Sequence, residues 1–319
     1  MGDQRGVVMS AARQLHFGFF IDSEATQPAV NDAAPGARAD RGIADVLESR
    51  GLVGTFHVLP TEAEANAALY RELKTRGHEI GLHVHPAAQG YGEFFGIYGP
   101  DEQRTILKEA KDRAQSALGF AVGSLCIGYV STNDHSYAVF EELGFRHGMT
   151  SLPTRVLPEC ASVHAGAPLG IHYANRHNKL LPGDMDYVEV PVTVDPDSRL
   201  WGGKHPQDLR VELVDAKNHY YTIKKAIQRQ LSERSPLMYL LGFTHNVFDY
   251  ADPRDFRRQT LEGIIAHVKN LCSAQSLELV PSTIGQIAAA YRDVVPAGTS
   301  ITKLELDRGG YRNQSTKPS

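Results

Sequence analysis

The chain has 319 residues, 42% of them hydrophobic and 22% charged, with 33 Lys+Arg against 37 Asp+Glu for a formal charge of −4. This is the composition of an ordinary globular chain, and it excludes long disorder, collagen and coiled coil. There is no basic stripe for nucleic acid or an anionic membrane, and no apolar run approaches the ~18–20 residues of a membrane span. Cys126, Cys160 and Cys272 are odd in number, far apart and form no CxxC, so neither a disulfide framework nor a thiolate zinc site is expected. The apolar stretch Leu15–Ile21 runs straight into Asp22-Ser23-Glu24, which does not suit a signal peptide, so a reduced, cytoplasmic protein is expected.

In chain order, strand and helix patterns alternate. Leu15–Asp22 reads as a first strand, the segment 29–41 as an insertion-like loop, Gly42–Arg50 as a short helix and Val53–Leu59 as a second strand. Thr61-Glu62-Ala63-Glu64 has the pattern of a capping box opening a helix that runs to Thr75. His78–His83 is a third strand. Pro100 opens a helix with Ile106, Leu107, Ala110, Ala114 and Leu118 on one face, stopped by Gly119. Ser124–Gly128 is strand-like, Asp134–Leu143 is helical and Phe145–Thr150 is a further strand candidate. The stretch 151–186 has little periodicity and reads as a surface excursion. Tyr187–Thr193 is a strand, Asp208–Arg234 mostly helix, and Leu237–Phe243 a strand apolar on both faces. Phe256–Cys272 is an amphipathic helix, Leu277–Val280 a last strand, and Ser282 the cap of a final helix. Alternation of this kind implies a parallel α/β sheet covered by helices, and seven or eight such units favour a barrel over an open sheet.

In parallel α/β folds the chemistry gathers outside the carboxyl ends of the strands. Those ends carry Asp22-Ser23-Glu24, His83-Val84-His85-Pro86, Tyr129 to Asp134, and Thr244-His245-Asn246. Strand parity puts Asp22 and Glu24 on one side, and likewise His83 and His85. His78 lies at the other end of its strand and reads as structural. Two imidazoles and a carboxylate with an open position form a common catalytic zinc arrangement. A second carboxylate is then free to act as base, and a separate histidine as acid.

FFIDSE, RGHEIGLHVHP, LCIGYVSTNDHSYAVFEELGFR, YVEVPVT and LLGFTHN occur in this order over about residues 15–292. Taken together they resemble the motifs of the polysaccharide deacetylase family, the NodB-homology or carbohydrate esterase family 4 proteins, of which this chain looks like a divergent member. The resemblance implies a single deformed (β/α)7-type barrel over residues 15–292, with an N-terminal arm at 1–14 and a tail at 293–319. It implies a divalent metal, usually zinc, and hydrolysis of an N- or O-acetyl group on a sugar or related small molecule. Asp22 takes the place of the base, and Glu24, His83 and His85 those of the metal ligands. His245 takes the place of the acid that protonates the leaving group. A backbone amide near Tyr129 takes that of the oxyanion donor. The sequence departs from the family pattern in three ways. Ser23 stands where a second aspartate is usual, the histidines are two rather than four residues apart, and Cys126 occupies the place of an arginine that orients the base. Arg155 and Arg176 are the candidates to replace that arginine.

Tyr129 and Asn133 are further candidates for substrate binding. Trp201, the only tryptophan, is either a stacking surface for a sugar ring or a loop anchor. Glu189 reads as a buried acid behind the site and His57 as packing. The expected substrate is a small molecule or oligosaccharide, with no nucleic-acid or membrane partner; a homo-oligomer is left open. Two other functions fit the same scaffold: a non-catalytic carbohydrate-binding barrel, or another metal-dependent hydrolase or lyase acting on a cyclic amide or a polyuronide.

Overall fold

A computed structural model describes residues 13–28 and 30–298 of the chain. Strand β1 (Gln14–Ser23) is buried from Leu15 onward because it has strands on both sides. It pairs in parallel with Met238–His245 on one side and with β2 (Thr55–Val58) on the other. The parallel series continues through β3 (Glu79–Val84), β4 (Ser124–Ile127), β5 (His147–Met149) and Val188–Glu189, and His172–Tyr173 adds an antiparallel edge. Glu278–Pro281 pairs with the first half of β1. Between Val188–Glu189 and Met238–His245 the sheet is bridged through Thr193. Its amide donates to the Leu241 carbonyl at 3.0 Å, and its hydroxyl accepts from the Leu241 amide at 2.9 Å.

Among the described residues seven helices cover the outside: α1 (Ala33–Ser49), α2 (Pro60–Thr75), α3 (Pro100–Leu118), α4 (Ser136–Glu142), α5 (Ala216–Ser232), α6 (Phe256–Ala274) and α7 (Ile284–Val294). The result is a single deformed (β/α)7 barrel, as the resemblance implies; the alternation alone favours a barrel of seven or eight units. Phe17, Phe19, Phe56, Ile43, Leu47, Leu240 and Ile264 meet in its main apolar cluster. Among the described residues no helix is long and apolar enough to cross a membrane, and the three cysteines are all unpaired. The expected arm at 1–14 and tail at 293–319 fall largely outside the described residues.

The structure corrects several expectations. The supposed loop at 29–41 holds the first half of α1 from Ala33 on. Pro35 sits in the first turn, where a missing N–H costs nothing, and Gly36 lets the helix pass close over the site. A Cβ there would stand 2.6 Å from that of Ala25 and 2.9 Å from Asn246. The capping box at Thr61 does not form. Pro60 occupies the first turn of α2, and the Thr61 hydroxyl instead bonds that of Thr26 at 2.7 Å. The excursion 151–186 contains a hairpin of Val156–Leu157 with Ser162–Val163, besides the edge strand. The helix expected from Asp208 starts only at Ala216. Residues His205–Asp208 pair with Val194–Leu200 as a hairpin, and Asp215 caps the helix by accepting from the Asn218 amide. Thr283 caps α7, in a capping box with Gln286, while Ser282 bonds His16.

Candidate functional site

Because β1 runs parallel to Met238–His245, the two strands reach the same rim together, with Asp22 in register with His245. On the other side β3 arrives through β2, placing His83 and His85 next to the β1 end. Asp22, Glu24, His83, His85 and His245 all line one cleft of about 160 Å³. Glu24 stands between the two imidazoles: its Oε2 is 3.0 Å from His83 Nε2 and 2.9 Å from His85 Nε2. His83 Nδ1 lies 3.6 Å from Asp22 Oδ1, and His245 Nε2 lies 3.9 Å from Asp22 Oδ2. Asp22 thus separates the Glu24–His83–His85 cluster from His245.

The electrostatics follow from this packing. Burial opposes ionisation of Glu24, but hydrogen bonds with His83 and His85 outweigh it and hold the carboxyl well below its usual range. For His85, burial is likewise outweighed by hydrogen bonds with Glu24 and Glu93, and the imidazole is raised to about 10. Burial also opposes charging of His245. The negative charge and hydrogen bond of Glu212 prevail, raising it to about 9. Glu212 Oε1 lies 3.1 Å from His245 Nδ1 and accepts from the His245 amide at 2.9 Å.

The donor set suits a divalent cation. One ligand atom each from Glu24, His83 and His85 lies within 4.8 Å of the others, and the same holds for Asp22, His83 and Cys126. Asp22 Oδ1 and His83 Nδ1 are buried without a hydrogen-bond partner among the described residues, a deficit that an ion in the second group would relieve. The first triad is the better fit, because all three of its members line the cleft whereas Cys126 does not. Burial, then the neighbouring Asp22 charge, pushes the Cys126 thiol well above its ordinary range, so it remains S–H beside Asp22.

Residues 30–148 match the family described as polysaccharide deacetylase. The match covers 119 of the 319 residues, just over a third of the chain. It includes His83 and His85; Asp22, Glu24 and His245 lie outside it. Over most of the chain the fold is similar to those of solved structures. A Mycobacterium smegmatis protein described as a polysaccharide deacetylase superposes with a TM-score of 0.60 at 17% identity, over 90% of this chain and 93% of that one. A Pseudomonas aeruginosa PAO1 protein described likewise gives 0.58 at 15%, over 89% and 93%. The Puue allantoinase gives 0.60 at 14%, over 89% and 92%. No curated protein matches the chain.

Against the family pattern, the arginine replacement does not take the expected form. Arg176 bonds Glu141 at the surface, away from the cleft. Arg155 lines the cleft, but its Nη1 donates to the Tyr129 carbonyl at 2.6 Å and its Nε to His205 Nδ1 at 3.2 Å, not to Asp22. Tyr129 lines the cleft, edge-on to the His85 ring with centroids 5.5 Å apart. Tyr129 and Val130 hold consecutive positive φ values of 57° and 53°, and a β-branched residue there is an outlier of the sort that clusters at functional sites. Asn133 is not brought to the cleft. Its amide group donates to the carbonyls of Gly96 and Tyr98 at 3.0 and 2.9 Å, tying two loops together. Trp201 is half-exposed and stacks on His205 with centroids 4.5 Å apart, outside the cleft lining. Glu189 is fully buried and accepts from Thr150, Ser151 and Tyr137, which makes it a support for the β5 end.

Sequence reasoning missed Glu93, Glu212 and Asp40, and placed Asn246 at the rim without a role. Asn246 Oδ1 accepts from the Glu24 and Ala25 amides at 2.8 and 3.0 Å, while its Nδ2 donates to Asp40 at 3.0 Å. Asp40 also accepts from Ser23 and Tyr70. Burial above all, and then the charge of Glu62, raises Asp40 to about 8. An acid whose folded value lies above its unfolded ~3.9 contributes stability below about pH 4, and that contribution is lost as pH rises toward the folded value. Asp40→Asn is therefore expected to gain in melting temperature relative to wild type between pH 5 and pH 8. Parallel melting curves for the two proteins across that range would refute the assignment.

Proposed function

We propose that the chain is a metal-dependent deacylase that hydrolyses an N-acetyl or O-acetyl group on a sugar or related small molecule. The observation that carries this reading is the pair of groups flanking the Glu24–His83–His85 cluster, a buried carboxylate at Asp22 and a raised imidazole at His245, all in one cleft. A divalent cation, zinc by preference, held by Glu24, His83 and His85 supplies polarisation of the acyl carbonyl and acidification of a water. Asp22 takes the proton of the attacking water. Its Oδ1 accepts no hydrogen bond among the described residues, so a lone pair is available for that work. His245 is cationic at neutral pH and delivers its Nε2 proton to the departing nitrogen or oxygen. Glu212 holds the ring and stabilises its charge from the Nδ1 side. The backbone of the left-handed turn at Tyr129 and Val130 takes the oxyanion, since both residues line the cleft.

Elemental analysis together with an acetate-release screen over N-acetyl sugars tests this. The expected result is about one equivalent of divalent cation per chain and acetate among the products. A folded protein that takes up no cation and releases no acetate would overturn the reading. The likeness to the Puue allantoinase favours a second reading, hydrolysis of a cyclic amide, in which the substrate opens and no acetate appears.

Gly128 tests the His85 position separately. A Cβ on Gly128 would stand 2.6 Å from Cε1 and Nε2 of His85. Gly128→Ala must therefore displace that ring, and disturbing a ligand's support typically costs roughly 10- to 100-fold in cation affinity. Competition with a chromophoric chelator measures it; an unchanged dissociation constant would remove His85 from the ligand set.

A further inference from the structure

The same cleft is lined by two guanidinium groups, Arg155 and Arg210, which acyl hydrolysis as described above does not use. Arg155 is only 4% exposed and forms no ion pair among the described residues. Its Nη1 and Nε are bound to Tyr129 and His205, while its Nη2 makes no hydrogen bond among the described residues. Arg210 lies between two rings, 4.5 Å from the centroid of Phe243 and 6.0 Å from that of Trp201. Its Nε is buried without a partner, and its one ion pair is a loose contact with Asp208 at 3.5 Å. Asp208 is already committed to His205 Nε2 at 3.0 Å. Glu212, the other acid that acts on Arg210, is held by Thr244 and His245 through Oε1, while its buried Oε2 makes no hydrogen bond among the described residues. A buried guanidinium without an ion pair and a second, partly buried one with a loose acidic contact leave donors on this wall unsatisfied, and burying unpaired guanidinium donors is costly unless a partner satisfies them. Planar guanidinium donors match the geometry of a carboxylate or phosphate.

We propose that the substrate carries an oxyanion substituent, a carboxylate or a phosphate ester, which Arg155 and Arg210 bind in the cleft beside the reacting acyl group. This rests on the deacylase reading and adds the class of substrate to it. It also gives Trp201 a place: the tryptophan packs on His205, the partner of Arg155, and its ring lies 6.0 Å from the Arg210 guanidinium.

Three substrates separate the possibilities: neutral N-acetylglucosamine, N-acetylmuramic acid with its carboxylate, and N-acetylglucosamine 6-phosphate. At least one anionic sugar is expected to exceed the neutral one in kcat/KM by about 10- to 100-fold, the worth of a charged hydrogen bond; which one does so identifies the anion. Arg210→Gln should erase that preference, mainly through KM, and Arg210→Lys should restore part of it. Neutral sugar hydrolysed as well as both anionic ones would overturn the inference while leaving the deacylase reading intact. If no sugar is hydrolysed, fluorescence decides. Trp201 is the only tryptophan, so sodium sulfate titrated against sodium chloride at equal ionic strength reports on this wall directly. A saturable sulfate response in wild type that is lost in Arg210→Gln upholds the anion site even if the deacylase reading has failed. No response, or one unchanged in the variant, overturns the anion site.

Discussion

Asp22→Asn is expected to lower kcat by about 10²- to 10⁴-fold, the range over which positioned proton transfer contributes, and to leave the bound cation in place. The amide is nearly isosteric, and the fold should tolerate it. Asp22 Oδ1 accepts no hydrogen bond, and the Asp22 carbonyl, which accepts from Asn246 at 3.2 Å, is untouched. What is lost is the basic lone pair next to the cluster. Glu24→Gln gives the contrasting result. Glu24 Oε2 contacts both imidazoles, so its replacement should release the cation and the activity together. Cation content and turnover measured side by side in the two variants separate the roles. Asp22→Asn protein that stays active, or that loses its cation as Glu24→Gln does, would mean that the two acids have been assigned the wrong way round.

Parity along a strand is a local property, and for that reason the pairing of Asp22 with Glu24 and of His83 with His85 was legible before any coordinates. The convergence of those two pairs with His245 was legible too, because parallel strands covered by helices leave one rim for chemistry. What stayed hidden is nonlocal or depends on turns. Glu212 lies in a stretch whose composition suits a helix. It is drawn to His245 because Val211 donates to the Phe243 carbonyl at 3.1 Å and runs beside the last barrel strand. Glu93 sits in a glycine-rich loop with no periodicity, and only the fold carries it to His85 Nδ1. Asp40 was hidden by the reading of 29–41 as a loop. Alanine, proline and glycine in a row suggest a break, yet the Pro falls in the first turn and the Gly at a close approach, where each is tolerated. Asn133 erred in the other direction. A polar residue at a strand end looks available, but here its amide is consumed by two loop carbonyls. The position expected to hold an arginine shows the same limit. Cys126 does stand beside Asp22, but the cationic groups of the cleft, Arg155 and Arg210, approach from the excursion and from the segment before α5 and make no bond to Asp22.

Glu212→Gln should shift the alkaline limb of the pH profile to lower pH and slow turnover at pH 8 by roughly 10- to 100-fold, the worth of a charge-assisted hydrogen bond. His245 acts in its protonated form, so the rate falls as pH rises through its titration. The Glu212 charge and hydrogen bond are what hold that titration up at about 9 against burial. With a neutral amide in place of the carboxylate, burial prevails and the imidazole loses its proton earlier. The amide oxygen can still accept from the His245 backbone and the Thr244 hydroxyl, so the strand end should keep its shape. A structural explanation is tested by changing the leaving group. An amide substrate needs a proton on its departing nitrogen, whereas 4-nitrophenyl acetate expels a phenolate that needs none. The variant should therefore be slow on the first and close to wild type on the second. Equal slowing on both would show that Glu212 shapes the site rather than sustaining the acid.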